Sequence, residues 1–268
     1  MVGLHKSPYH GFSAEYSEHR LYQKGDPISD IDWKAYARTD KHFIKKYEED
    51  TNLISHIVLD VSNSMNFKGQ GAVTKLEYGK ILAASLIHLM LNQQDSTGLV
   101  LFSDVIKKYY SPKATKTYRT HLIKSLQEIT PEGETNTAEC LNIIAEKIKK
   151  RGLVIVISDL LDSVESVVSA IKHLHFKKNE VIVFQILDPD EINLSYDSDM
   201  LFVDKESGEE LRTNPAQIRK SYQEEFEKFL TRIKKESRNV GVEYNLIQTT
   251  HSLENALLEY FKKRSKMH

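Results

Sequence analysis

Asp60, Ser62 and Ser64 stand two residues apart in the run DVSNS, directly after the apolar, β-branched stretch LISHIVLDV. A carboxylate followed by two hydroxyls at that spacing offers only hard oxygen donors, which suit Mg²⁺ or Mn²⁺ with waters completing an octahedron and do not suit zinc. The short pattern is weak alone. D-x-S-x-S arises by chance in on the order of one chain in ten, and Asp and Ser also shape turns by bonding nearby backbone. Two further residues strengthen it. Asp159 closes a second apolar run, LVIVISD, and Thr135 lies in GETNTAE, in the loop before a helix beginning near Thr137. If both runs are strands of one parallel sheet, Asp60 and Asp159 emerge on the same sheet edge, where ligands of such sheets collect, and the Thr135 hydroxyl faces the same spot.

The elements that must hold these residues are legible from hydrophobic periodicity. Residues 1 to about 52 form a polar and aromatic segment with a turn signal at Gly25-Asp26-Pro27, read as short strands and turns. From residue 53 the pattern sharpens. LISHIVLDV reads as a buried strand, Thr74 to Gln94 as a helix, TGLVLFS as a strand and VIKKYY as its hairpin partner. Helices follow at about Thr115 to Ile129 and Thr137 to Lys150, then the strand LVIVISD, a helix from Ser163 to His175 and the strand VIVFQILD. A long helix over about Pro215 to Arg238, the strand VEYNLIQT and a helix from Leu253 to Lys263 with a basic end close the chain. Strands alternating with helices imply right-handed crossovers and an α/β fold, a mainly parallel Rossmann-type sheet with helices on both faces.

An insert at about 189–214 differs in composition. From Asp188 to Arg212 nine acidic residues face only Lys205 and Arg212, and LFVDKESGEELRT reads as a hairpin turning at Ser207-Gly208. It is either a solvated flap or an acidic docking surface. The whole chain is balanced: 268 residues, 37 basic against 38 acidic, a net charge of −1. That argues against a general nucleic-acid binder and against disorder. One cysteine, Cys140, excludes an internal disulfide or a Cys-rich zinc site and fits a reducing compartment. Met1 to His10 lacks an apolar core of the secretory kind, and the longest nearly apolar stretch, Ile81 to Leu91, is too short to span a bilayer. A cytoplasmic protein is expected.

The set Asp60, Ser62, Ser64, Thr135 and Asp159 resembles, at all five positions, the metal-ion-dependent adhesion site of von Willebrand factor A domains. Two departures stand beside it: Leu160 follows Asp159 where many relatives have Gly, expected to alter that loop, and Glu134 precedes Thr135 where Gly is frequent. Over nearly the whole chain, GFSAEYSEHRLYQKGDPISDIDWKAYARTDKHFIKKYEED, LFVDKESGEELRTNP and VEYNLIQTTHSLENALLEYFKKR resemble the domain of unknown function 58 family. The resemblance implies a von Willebrand A-like domain over 53–268, preceded by a family-specific segment over 1–52 that packs on it. It also implies a Mg²⁺ or Mn²⁺ site and a pairing with MoxR-type AAA+ ATPases. On this reading the module is non-enzymatic, and an acidic residue of the ATPase or its client completes the metal's coordination. No nucleic acid and no membrane insertion enter it. The alternative is a Mg²⁺-dependent hydrolase acting on phosphate esters, with Glu134 the nearby spare carboxylate.

Other candidates have plainer readings. GQGAVTK, Gly69 to Lys75, lacks phosphate-loop spacing and runs into a helix. His173 and His175 are splayed apart by helical spacing. Cys140 sits among apolar helical neighbours as a buried thiol. Asp26, Asp30, Asp32 and Arg38 around Trp33 read as an ion-pair and aromatic anchor, against a second binding surface.

Overall fold

The computed structural model describes residues 14–23, 26, 31–49, 53–204, 208–254 and 257. The chain divides into two compact units, Met1–Leu53 and Ile54–His268.

In the first unit, strands β1 (Ala14–Leu21) and β2 (Phe43–Glu49) pair antiparallel, with an irregularity between Tyr16 and Glu18. Between them runs a helix, α1 (Trp33–Thr39), where only strands and turns were expected. Its origin is local. Asp32 caps it by accepting from the backbone N–H of Lys34 and Ala35, and Asp40 ends it in the left-handed conformation that Asp tolerates. The helix buries Ala35 and leaves Trp33 56% exposed, edge-on to Tyr36. Asp26 bonds Arg20 at 2.9 Å, while the Arg38 guanidinium donates to the Lys34 carbonyl. Asp30 lies outside the described residues, as does most of the closing helix.

The second unit is built on a six-stranded sheet: β3 (Ile54–Asp60), β4 (Ser96–Phe102), β5 (Ile106–Lys113), β6 (Leu153–Ser158), β7 (Glu180–Leu187) and β10 (Glu243–Gln248). Their spatial order is β10-β7-β6-β3-β4-β5. All neighbours run parallel except β5, which turns back on β4 as a hairpin. Helices α2 (Lys75–Asn92), α3 (Lys116–Gln127), α4 (Thr137–Lys147), α5 (Val164–Phe176) and α7 (Pro215–Asn239) cover the sheet. The alternation of strand side chains divides the core. Val58, Val156 and Val183 pack with Cys140, Leu141, Ile171 and Ile233 of α4, α5 and α7. Leu59, Ile157 and Ile186 point to the other face, where Gly79 of α2 lets the helix approach them closely.

Topology places the site. The crossover from β3 runs through α2 to β4 on one side, and β6 joins β3 on the other. This reversal opens a crevice above the carboxyl ends of β3 and β6, where Asp60 and Asp159 lie.

The insert comprises α6 (Pro189–Asn193) and an antiparallel hairpin, β8 (Met200–Val203) with β9 (Glu210–Thr213). Residues 205–207 of its turn lie outside the described residues, and Gly208 takes a φ of 74°. The Arg219 guanidinium on α7 holds the segment before the hairpin through the Leu194 and Tyr196 carbonyls and Asp197.

Candidate functional site

Asp60, the last residue of β3, is fully buried. One carboxylate oxygen accepts from the Ser62 backbone N–H at 3.0 Å, and the other accepts from the Ser158 hydroxyl at 2.7 Å. Ser62 begins a 3-10 turn over Asn63–Asn66, and that turn brings the hydroxyls round. The Ser62 and Ser64 hydroxyls are 3.0 Å apart, and those of Ser64 and Thr135 are 3.2 Å apart. Thr135 arrives from the loop before α4, and the Asn63 backbone N–H bonds the Gly133 carbonyl of that same loop. Gly133 has a φ of 82°, and a side chain there would collide with Ser103 and Asp104. Three hydroxyls from two loops thus form one chain beginning beside the Asp60 carboxylate.

Asp159 follows β6 and is also fully buried, but it is satisfied differently. The Lys75 ammonium donates to it at 2.7 Å and to Glu191 of α6 at 2.5 Å, with the Lys75 side chain wholly enclosed. Burial works against the Lys75 charge, yet Asp159 and Glu191 outweigh it and the ammonium's pKa is raised. Glu191 is raised above the ordinary carboxylate range by burial, against the pull of Lys75. Asp60 has no cation within bonding reach among the described residues. Burial, then the negative charge of Asp159, push its carboxyl up to about 7.

Lys75 and Glu191 are the participants that spacing did not bring out. Contacts join Asp60, Ser62, Ser64 and Thr135, while Asp159 reaches Asp60 through its charge and is bonded to Lys75, so two carboxylates facing a metal alone is an incomplete description of the charge. Asp60, Asp159 and Glu191 against Lys75 leave two formal negative charges at the crevice. Glu134 is exposed, so the additional carboxylate of the site is Glu191. One sequence signal pointed to Lys75. Thr74 and Glu77 form a capping box, which puts Lys75 at the first position of α2, where the helix dipole disfavours a cation. A lysine there needs carboxylates nearby.

The glycine run before Lys75 explains how it is delivered. Asp188, fully buried, accepts from the Gln70 and Gly71 backbone N–H groups at 3.1 and 3.2 Å and from the Thr249 hydroxyl at 2.7 Å. A Cβ on Gly69 would lie 2.4 Å from the Asp188 carboxylate, and one on Gly71 2.4 Å from the Thr249 hydroxyl. Burial opposes the Asp188 charge, but the Asp190 backbone N–H, then the Thr249 hydroxyl and the glycine-loop N–H groups, outweigh it and hold its carboxyl below the usual range. The loop is thus a carboxylate clamp that seats Lys75. The insert is correspondingly more than a solvated flap, since its first acids, Asp188 and Glu191, are structural.

Leu160, directly after Asp159, adopts an unusual backbone conformation. It keeps a φ of 54°, the left-handed conformation that glycine takes freely, and its side chain is buried in the core. The strain of roughly 1–2 kcal/mol is offset by that burial. Cys140 is buried, its thiol donates to the Ser103 carbonyl, and burial pushes it up to about 12, as an inert core thiol requires. His173 bonds Asn142 and Glu146, and His175 does not join it in a common site.

The donor set fits a hard divalent cation: hydroxyls already in mutual contact, a buried carboxylate lacking a cation, and a doubly negative crevice. Among the described residues no three His, Cys, Asp or Glu side chains converge as a metal cluster, so the neutral hydroxyls have to supply the remaining donors. Ser64 and Thr135 also line a groove of about 630 Å³ that continues past Phe67 and Leu161 to the β8–β9 hairpin.

The profile of the family described as "Protein of unknown function DUF58" matches residues 18–231. An uncharacterized protein of Mycobacterium tuberculosis is 25% identical over 211 residues, covering 77% of this chain and 65% of the relative. The chain thus spans somewhat less than two thirds of that relative's length. Among solved structures, the conserved hypothetical protein BatB from Bacteroides thetaiotaomicron superposes with a TM-score of 0.55 at 20% identity, covering 80% of this chain and 99% of that one. An aerotolerance-related membrane protein from Bacteroides fragilis gives 0.52 at 20% identity, covering 78% and 99%. With the strand order, these neighbours show a mixed α/β fold with a mostly parallel central sheet, as the von Willebrand A-like resemblance leads one to expect.

Proposed function

The chain belongs to the DUF58 family of proteins of unknown function, and from that premise we propose that it is a metal-dependent protein-binding module. The observation that carries this is the continuous hydroxyl chain of Ser62, Ser64 and Thr135 set beside Asp60 and Asp159 at the sheet's switch point. Asp60 and those hydroxyls would hold Mg²⁺ or Mn²⁺, with Asp159 contributing its charge from behind the Lys75 contact. The bound ion would supply a concentrated positive charge able to receive a carboxylate from a partner protein.

No side chain is assigned a catalytic role. Glu191 is engaged by Lys75, and Asp60 is assigned to the metal. Among the described residues no helix is long and apolar enough to cross a membrane. We place the module in the cytoplasm, with a MoxR-type AAA+ ATPase or its client as the partner, as the family resemblance implies. Metal and partner affinities are then coupled reciprocally.

The test is co-purification of that ATPase with the tagged protein in Mg²⁺ and in EDTA, using wild type and Asp60→Asn. Capture in Mg²⁺ that is lost in EDTA and in the variant supports the reading. Capture that survives both places the contact elsewhere.

A further inference from the structure

At the amino end of the six-stranded sheet, opposite the crevice, the fold sets two short basic runs side by side. Lys149-Lys150-Arg151 leads into β6 and Phe176-Lys177-Lys178 leads into β7, and these strands are parallel neighbours. The join is direct. The Gly152 backbone N–H bonds the Asn179 side chain at 3.1 Å, and the Glu180 N–H bonds the Gly152 carbonyl at 2.9 Å. Lys147, in the last turn of α4, adds a charge at the same end.

Most of this charge has no internal use. Lys177 pairs with Glu146, and Arg151 and Glu180 each have an interaction of their own. Lys147, Lys149, Lys150 and Lys178 are exposed and have neither an ion pair nor a side-chain hydrogen bond among the described residues. The helix dipole favours Lys147, but Lys149 and Lys150 lie beyond the buried Ile148 that caps α4. Lys178 stands against local preference. It follows the cap of α5 with a φ of 65° and its N–H on the His175 carbonyl at 2.8 Å, a position that glycine commonly fills. A lysine kept there at conformational cost points to a use for its charge.

Phe176 supplies a second chemistry. It is 74% exposed at the last position of α5, off the buried stripe of Val167, Ala170, Ile171 and Leu174. A lone exposed apolar residue is ordinary. A ring this far out of the surface, beside unpaired lysines, matches what an anionic bilayer receives: apolar area at the headgroup boundary and ammonium groups among the lipid phosphates. A single-stranded nucleic acid would want successive stacking rings, and Phe176 is the one aromatic residue of the two runs.

We infer that this end of the second unit is a docking surface for an anionic bilayer. Phe176 enters the interface, and Lys147, Lys149, Lys150 and Lys178 hold acidic lipid headgroups. The contact is peripheral. The Asp60 crevice, at the carboxyl ends of the same strands, then faces away from the bilayer and stays open to a partner. The assignment stands apart from the metal reading, since it uses neither the crevice nor a cation.

The experiment is co-sedimentation of the full chain, in EDTA, with vesicles of phosphatidylcholine alone and of equal parts phosphatidylcholine and phosphatidylglycerol. Binding is expected to the mixed vesicles only, weakening as salt is raised. It should fall about fivefold in Lys150→Ala and in Lys178→Gly, the effect of one lysine at such a surface. In Phe176→Ala it should fall about tenfold. Lys68→Ala, which removes an exposed lysine beside the opposite end of the sheet, should leave it unchanged. Melting temperatures keep folding out of the reading. Phe176→Ala should melt as wild type does, and Lys178→Gly no lower, because glycine accepts the positive φ freely.

No sedimentation with the mixed vesicles, or equal sedimentation with both kinds, overturns the docking surface. A loss in Lys68→Ala equal to that in Lys150→Ala also overturns it, by reducing the effect to total charge. Binding indifferent to Phe176→Ala, or abolished by an equimolar single-stranded oligonucleotide, overturns the lipid assignment, the second result in favour of a nucleic acid.

Discussion

Asp60 and Asp159 lie at the carboxyl ends of adjacent parallel strands, Asp159 one residue beyond the position in register with Asp60, and both are fully buried, yet they are satisfied by opposite means. Asp159 meets a buried ammonium that is itself shared with Glu191. Asp60 meets only a backbone N–H and neutral hydroxyls. A buried carboxylate with a resident cation is part of the framework, and one without is open to a cation from outside. The comparison teaches that fold position alone does not make a ligand; what already neutralises the group decides whether it can serve.

Removing the resident cation is the most severe way to break this contrast. Lys75→Met leaves Asp159 and Glu191 buried and unpaired, and it should destabilise the protein by about 3–5 kcal/mol. At roughly 2–4 °C per kcal/mol the melting temperature should fall well outside error. Adding Glu191→Gln should recover part of the loss, and an undiminished melting temperature in Lys75→Met would show that the ammonium is not part of the framework.

His56 sharpens the comparison from the other side, as a buried base with no partner for its Nδ1 among the described residues. Burial holds its pKa down from 6.5 to about 4. Unfolded, the imidazole takes up its proton below pH 6.5; folded, it stays neutral to about pH 4. Its contribution is therefore intact above 6.5 and lost progressively as the pH falls towards 4, by about 3 kcal/mol in all. Denaturant melts across that range should show wild type losing stability relative to His56→Leu. A constant difference between the two would remove His56 from the account.

These effects also mark where sequence reading reached its limit. The strands and crossovers were legible because LISHIVLDV, LVIVISD and VIVFQILD are apolar runs bounded by polar turns, and the parallel sheet then fixes where Asp60 and Asp159 emerge. Thr135 was legible because its loop precedes a recognisable helix start. Lys75 and Glu191 were not, since 116 residues separate them and only the folded crossovers bring them together. Helix α1 escaped because WKAYART has no apolar stripe; its cap at Asp32 was the readable part. Leu160 shows the reverse case, where a non-glycine residue takes the left-handed conformation with its side chain in a buried site.

Smaller effects should follow on the hydroxyl side. Ser64→Ala removes the hydroxyl contacts to Ser62 and Thr135, and Thr135→Ala removes the contact to Ser64, at about 0.5–1.5 kcal/mol per bond without metal. Both should weaken Mg²⁺ binding in calorimetry while leaving the fold intact, whereas unaltered Mg²⁺ affinity would strike them from the donor set. Smallest of all, Trp33→Ala should change stability by no more than about 0.5 kcal/mol, because the ring is 56% exposed. A larger loss in thermal melts would mean that Trp33 is an anchor after all.

The central claim is that Asp60 is the open carboxylate. The direct measurement is the melting temperature in EDTA and in millimolar Mg²⁺ or Mn²⁺, for wild type and Asp60→Asn. Metal at about 100 times its dissociation constant adds roughly 2.7 kcal/mol, a rise on the order of 5–10 °C for a domain of this size. The account expects that rise in wild type and none in Asp60→Asn. An equal rise in both proteins, or none in wild type, would contradict it.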